Sequence, residues 1–221
     1  MKFHLGSKTL LVRIIIALLL FIVSILPVKA DTLPNSTKDI KSEVIGLYQI
    51  PLKLNVYSRP DKNSDVIFQV NWDYKSFNSS YGKEEDFFTI LIQSKELAYV
   101  QVTDYTDDWT EIVYDKKNYK KGWIQSEEFR FMSWRSFYNM YGRKYGLYYL
   151  KNAPEDVKNL HGSTDDISAV IQKINKPIKI KLTVVKGNWA LITAIEDNVG
   201  KTGYIRWRSD DGEIYLFPKI K

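Results

Sequence analysis

The chain has 221 residues, 44% of them hydrophobic and 14% aromatic, with 32 Lys and Arg against 26 Asp and Glu, a formal net charge of +6. It contains no cysteine and two histidines, His4 and His161. These counts exclude a disulfide, a zinc–thiolate site, an iron–sulfur cluster and a cysteine nucleophile, and the composition is globular rather than disordered.

The first 30 residues carry Lys2, Lys8, Arg13 and Lys29 and no acid. An apolar run over 14–25 follows Arg13, and Pro27 and Val28-Lys29-Ala30 close the segment. A basic start, a short apolar core and a Val-x-Ala end predict a secretory signal cleaved after Ala30, and so an exported protein, periplasmic or secreted. The alternative is an uncleaved anchor over 9–28, which Arg13 interrupts. Without this segment 28 bases face 26 acids, so the residual +2 gives no reason to expect nucleic acid as a partner. No second apolar run is long enough for a stable membrane span after cleavage.

Residues 31–46 open on DTLPNSTKDIKS and read as a polar linker. Beyond them, short stretches alternate between apolar and polar residues. Ala98, Val100 and Val102 follow the apolar run 87–92; Ile178, Ile180, Leu182 and Val184 are followed by Trp189, Leu191, Thr193 and Ile195. Such alternation, bounded by Gly, Asn and Asp, predicts antiparallel strands. One helix is predicted over 132–146, where Trp134, Phe137, Tyr138 and Tyr141 fall at i, i+3, i+4 and i+7, with Ser133 as N-cap and Gly142 as stop. Its aromatic stripe is expected to dock two halves together. A weaker helical pattern covers 165–174.

The two halves share a pattern. Trp109-Thr110-Glu111-Ile112 precedes Gly122-Trp123-Ile124, and Trp189-Ala190-Leu191-Ile192 precedes Gly203-Tyr204-Ile205. Both read W-x-x-I followed by G-[WY]-I, about one small β-domain apart. The first copy opens on Leu54-Asn55-Val56-Tyr57-Ser58-Arg59-Pro60, with Val66-Ile67 after it; the second copy's opening is read at Tyr149-Leu150-Lys151-Asn152-Ala153-Pro154. These segments resemble the bacterial SH3-like (SH3b) domain family. The resemblance implies a mainly β protein of two small SH3-like barrels, at 47–131 with an insertion over 71–96 and at 147–218, joined by the helix. It also implies a non-catalytic module that recognises cell-wall peptide or glycan. Two rivals stand beside it: an envelope protein–protein interaction scaffold, and a carboxylate-dependent envelope hydrolase using a pair such as Asp107-Asp108.

Candidate chemistry is sparse. The acid pairs at 84–85, 107–108, 165–166 and 210–211 sit in loop contexts without acid/base spacing. His161 could be drawn into a triad with Ser163 or Ser168, but no G-x-S-x-G surrounds either serine. No catalytic residue, cofactor or metal is expected. Lys116, Lys117, Lys120 and Lys121 read as a solvated hairpin edge. Trp109, Trp123, Trp189 and Tyr204 are assigned to the two cores. Tyr57, Trp72, Tyr74 and Trp207 are assigned to a ligand groove, because flat rings stack on sugars and peptides at low entropy cost.

Overall fold

The computed structural model describes residues 31–73, 76–174 and 179–220. Residues 1–30, read from sequence as an export signal, lie outside the described residues, as do Tyr74 and Ile178. The described residues belong to one compact unit, mainly β, with two antiparallel sheets and a short helix.

The first sheet is built from β1 (Gly46–Gln49), β2 (Lys53–Tyr57), β3 (Val66–Trp72), β4 (Phe77–Ser79), β5 (Ile90–Ile92), β6 (Leu97–Tyr105), β7 (Trp109–Asp115), β8 (Lys120–Gln125) and β9 (Phe131–Ser133). Its order is β4-β3-β2-β8-β7-β6-β1-β9, with β5 on β6. The second contains β10 (Leu147–Tyr149), β11 (Asn159–His161), β12 (Val170–Lys173), β13 (Lys179–Lys186), β14 (Trp189–Glu196), β15 (Val199–Arg206) and β16 (Leu216–Pro218), ordered β12-β11-β15-β14-β13-β10-β16. Strand for strand, β3-β2-β8-β7-β6-β1-β9 follows the same path. β4, β5 and the helical turn Glu84–Phe87 are extra to the first half, inside the predicted insertion 71–96. They enlarge its core: Trp72, Phe87 and Phe88 are buried, and Phe77 packs edge-on to Phe88 at 5.5 Å.

The equivalence extends to single residues. A Cβ on Gly122 would meet Val56 Cγ1 at 2.5 Å, Ile67 Cδ1 at 3.0 Å and the Tyr57 carbonyl at 3.1 Å. A Cβ on Gly203 would meet Leu160, Ile171 Cδ1 at 3.0 Å and the His161 carbonyl at 2.7 Å. Both glycines sit where another strand crosses too closely for a side chain. The strand that crosses Gly203 is Asn159-Leu160-His161, as Lys53–Tyr57 crosses Gly122, whereas the segment 149–154 expected from sequence does not take that place. Tyr149 lies in β10 and pairs with Leu216. The register shifts after Val56 and again after Leu160, a bulge at the same place in both halves.

Two other expectations change. The helical pattern over 165–174 resolves into a turn and β12. Asp165 Oδ1 accepts from Ile167 N at 3.0 Å, and β12 then pairs with β11, so local side-chain capture and strand pairing override a weak period. The polar segment 31–46 is no loose linker. Thr32 N and O bond Leu91 O and N at 2.9 and 3.0 Å on the first sheet's side, and Thr37 N donates to Lys151 O at 3.0 Å on the second's. Asp39 caps the turn Thr37–Asp39 by accepting from Asn35 N and Ser36 N. Ile40 and Val44 are buried.

The helix runs from Trp134–Phe137 through a π-helical turn, Tyr138–Gly142, into Arg143–Tyr145. Ser133 Oγ accepts from Ser136 N, the N-cap bond. Gly142 does not end it: its backbone is helical and its bare Cα lets Leu182 and Leu147 approach. The stop is Gly146, at φ 80°, with the Ile180 carbonyl 2.5 Å from where a Cβ would stand. Trp134, Phe137, Tyr138 and Tyr141 are all buried. They belong to one apolar cluster that joins Leu47, Ile90 and Tyr99 of the first half to Ile192, Leu216 and Phe217 of the second.

Candidate functional site

Strand alternation explains the placement of the repeated tryptophans. In β7, Thr110 and Ile112 are inward and fully buried, so Trp109 and Glu111 face outward; in β8, Gly122 and Ile124 are inward and Trp123 faces outward. Trp109 and Trp123 are half-buried rather than core residues, and so is Tyr204. Only Trp189 of the four expected core rings is buried, at 6% exposure.

Tyr57, expected in a ligand groove, does lie on an open face. It pairs across β2 and β8 with Trp123, and its ring meets Trp109 edge-on, 5.6 Å between centroids at 88°. The three half-buried rings thus occupy neighbouring strands on the outward side of the first sheet. Glu111, opposite Trp123, accepts from Thr103 Oγ1 and pairs with Lys121 at 3.1 Å. The turn before Trp109 carries Asp107 and Asp108, both exposed.

The other two groove candidates are corrected. Trp72 and Trp207 are each 2% exposed. The Trp72 indole N–H donates to Pro51 O at 2.8 Å and its ring packs on Phe88. Trp207 donates to Gly187 O at 2.9 Å and lies 4.4 Å from the Tyr138 ring. A polar sequence context hid that each indole N–H finds a backbone carbonyl, which lets the ring go inside.

The second half carries the same constellation in closed form. His161 pairs with Tyr204 as Tyr57 does with Trp123, and its ring meets Trp189 edge-on at 5.4 Å and 78°. Opposite Trp189 stands Arg206, where the first half has Gln125 opposite Trp109. The Arg206 guanidinium lies 4.9 Å from the Trp189 ring, donates to both Asp166 oxygens (Nε to Oδ1 at 2.7 Å), and donates to Asp210 Oδ1 at 2.9 Å. What remains is a pocket of about 140 Å³ lined by Asp156, Asn159, His161, Asp166, Trp189 and Arg206. Its signal in the sequence is Arg206 at the end of G-Y-I-R, where the first half has Gln125.

The Arg206 hydrogen bonds hold the Asp166 carboxyl below the usual carboxylate range. A carboxyl depressed on folding contributes stability above its unfolded value, near 4, and loses it as pH falls through the folded value. The 163–168 loop is therefore expected to release from Arg206 only below about pH 4, read as a rise in amide exchange across the loop. Asp166→Asn brings the same release at pH 7; unchanged protection in that variant refutes the latch.

Of the serines considered with His161, Ser168 has its Oγ 3.4 Å from His161 Nδ1, a long contact, and donates to Asp165 O at 2.7 Å. A further cavity of about 260 Å³ separates the N-terminal segment from the first sheet, lined by Lys38, Asp39, Asp86, Thr89, Lys116 and Lys117. Burial pushes the Lys116 ammonium down, and it donates to Phe88 O. Among the described residues no group of three or more His, Asp or Glu is placed to hold a metal ion, and no helix is long and apolar enough to cross a membrane.

Compared with protein-family models, curated proteins and solved structures, the chain finds no match.

Proposed function

We propose that the protein is an exported, non-catalytic binding module of two SH3-like domains that recognises cell-wall peptide or glycan through the outward face of the first. The observation that carries this reading is the trio Tyr57, Trp109 and Trp123, three half-buried rings on adjacent strands with no core duty. Rigid rings of this kind offer contact area at little conformational cost. The shared strand order of the two sheets, with matching bulges and matching crowded glycines, supports reading the chain as two copies of one domain. In this reading the first copy keeps an open face, while the second has Arg206 and Asp166 over its own.

The test is co-sedimentation of the protein with purified peptidoglycan. Wild type pellets, and Trp109→Ala reduces the bound fraction by at least about tenfold, the weight of one interface tryptophan. Absence of pelleting at both low and moderate salt overturns the reading, as does full pelleting by a folded Trp109→Ala, Tyr57→Ala double variant.

A further inference from the structure

We infer that the Tyr57–Trp109–Trp123 face binds a cationic group, and specifically the primary amine of a peptide. This rests on the wall-binding reading above and narrows its ligand from peptide or glycan to an amine-bearing peptide.

The two halves differ at these rings. In the second, both outward rings have a cation of the chain itself beside them: the Arg206 guanidinium 4.9 Å from the Trp189 ring, and Lys186 Nζ 5.6 Å from the Tyr204 ring centre and 3.4 Å from its hydroxyl. In the first, both positions are neutral. Gln125 stands opposite Trp109 in place of Arg206. Thr106, whose N–H donates to Trp109 O at 2.7 Å, stands where Lys186 pairs with Trp189. Among the described residues no cation–ring contact falls on Tyr57, Trp109 or Trp123. Lys121, on the outward side of β8 two residues before Trp123, is held by Glu111 at 3.1 Å and Glu43 at 3.9 Å.

Charge around the rings reverses in step. The turn before Trp189 is Gly187-Asn188, without charge, and the acids that balance Arg206 arrive from elsewhere as Asp166 and Asp210. The turn before Trp109 is Asp107-Asp108, with Asp104 close by on β6, and all three are exposed. The first half thus holds the rings and the carboxylates of a cation site and lacks the cation. Trp is the strongest aromatic face for a cation, and nearby carboxylates raise the local concentration of one. A neutral sugar would use the rings and make no use of the charge of these acids. The second half shows the filled arrangement, with its own arginine in the ligand's place.

Two measurements decide it. In the first, the protein is titrated with a capped alanine pentapeptide carrying one central lysine, and with the same peptide Nε-acetylated. The free amine binds at least about tenfold tighter, the size of one cation–ring contact assisted by nearby carboxylates. The preference disappears in Trp109→Ala and in Asp107→Asn with Asp108→Asn; the second pair lies in an exposed turn and leaves the fold intact. Equal affinity for the two peptides, or no detectable binding of either, overturns the inference. In the second, co-sedimentation is repeated on peptidoglycan whose amines have been acetylated. A fall in pelleting of at least fivefold supports the amine. Undiminished pelleting means that the wall-binding reading stands and the ligand is glycan, whereas failure to pellet on either wall removes the wall-binding reading itself.

Discussion

Phe137→Ala is expected to cost about 3–5 kcal/mol of unfolding free energy, at the upper end for a buried aromatic truncation. Phe137 is fully buried, and its ring packs at 5.0 Å on Tyr141, 5.5 Å on Phe217 and 6.0 Å on Tyr99. Tyr99 lies in the first sheet and Phe217 in the second, so the void opens at the joint between them. Neighbouring side chains cannot collapse into it, because Tyr99 and Tyr141 are tied to each other by a 2.7 Å hydroxyl contact. One transition is therefore expected in urea for wild type, with tryptophan fluorescence and far-UV signal coinciding. The variant should move that midpoint sharply down or split it. A loss under about 1 kcal/mol shows that the helix does not couple the sheets.

The second large effect separates two tryptophans that look alike in the sequence. Trp207→Ala is expected to cost about 3–5 kcal/mol, since it empties a core volume against Tyr138 and leaves the Gly187 carbonyl without its indole donor. Trp109→Ala removes a half-buried, outward ring and should cost no more than about 1 kcal/mol. The binding assays invert the order: Trp109→Ala loses ligand while folded, and Trp207→Ala loses ligand only as far as it unfolds. Equal destabilisation by the two substitutions contradicts the assignment of one ring to the core and the other to the surface.

The contrast also marks what could be read from residues alone. The strands were legible because period-two alternation is local; β6, β13 and β14 cover the segments expected from their apolar spacing. The aromatic helix was legible for the same reason, apart from its end, where Gly142 serves packing and Gly146 serves the stop. The outward placement of Trp109 follows from parity alone. In W-x-x-I the two residues are three apart, an odd number, so a strand puts them on opposite faces. With Ile112 inside, Trp109 is outside. The same parity separates Trp123 from Ile124. Trp72 and Trp207 were not legible, because their burial depends on carbonyls of Pro51 and Gly187, each 20 or 21 residues away in the chain. The strand that crosses Gly203 was hidden because only Leu160 offers an apolar match to Val56. The equivalence shows in what crowds Gly203, which is a property of the folded sheet.

The N-terminal segment has a mechanical consequence. Thr32 is zipped to Leu91, and within five residues Thr37 is bonded to Lys151, so the chain reaches the first half and then the second almost at once. Tension entering at Asp31 would load the Thr32–Leu91 bridge and, five residues on, the Thr37–Lys151 bond, so both halves would share it. The segment thus works as a clasp across the two halves.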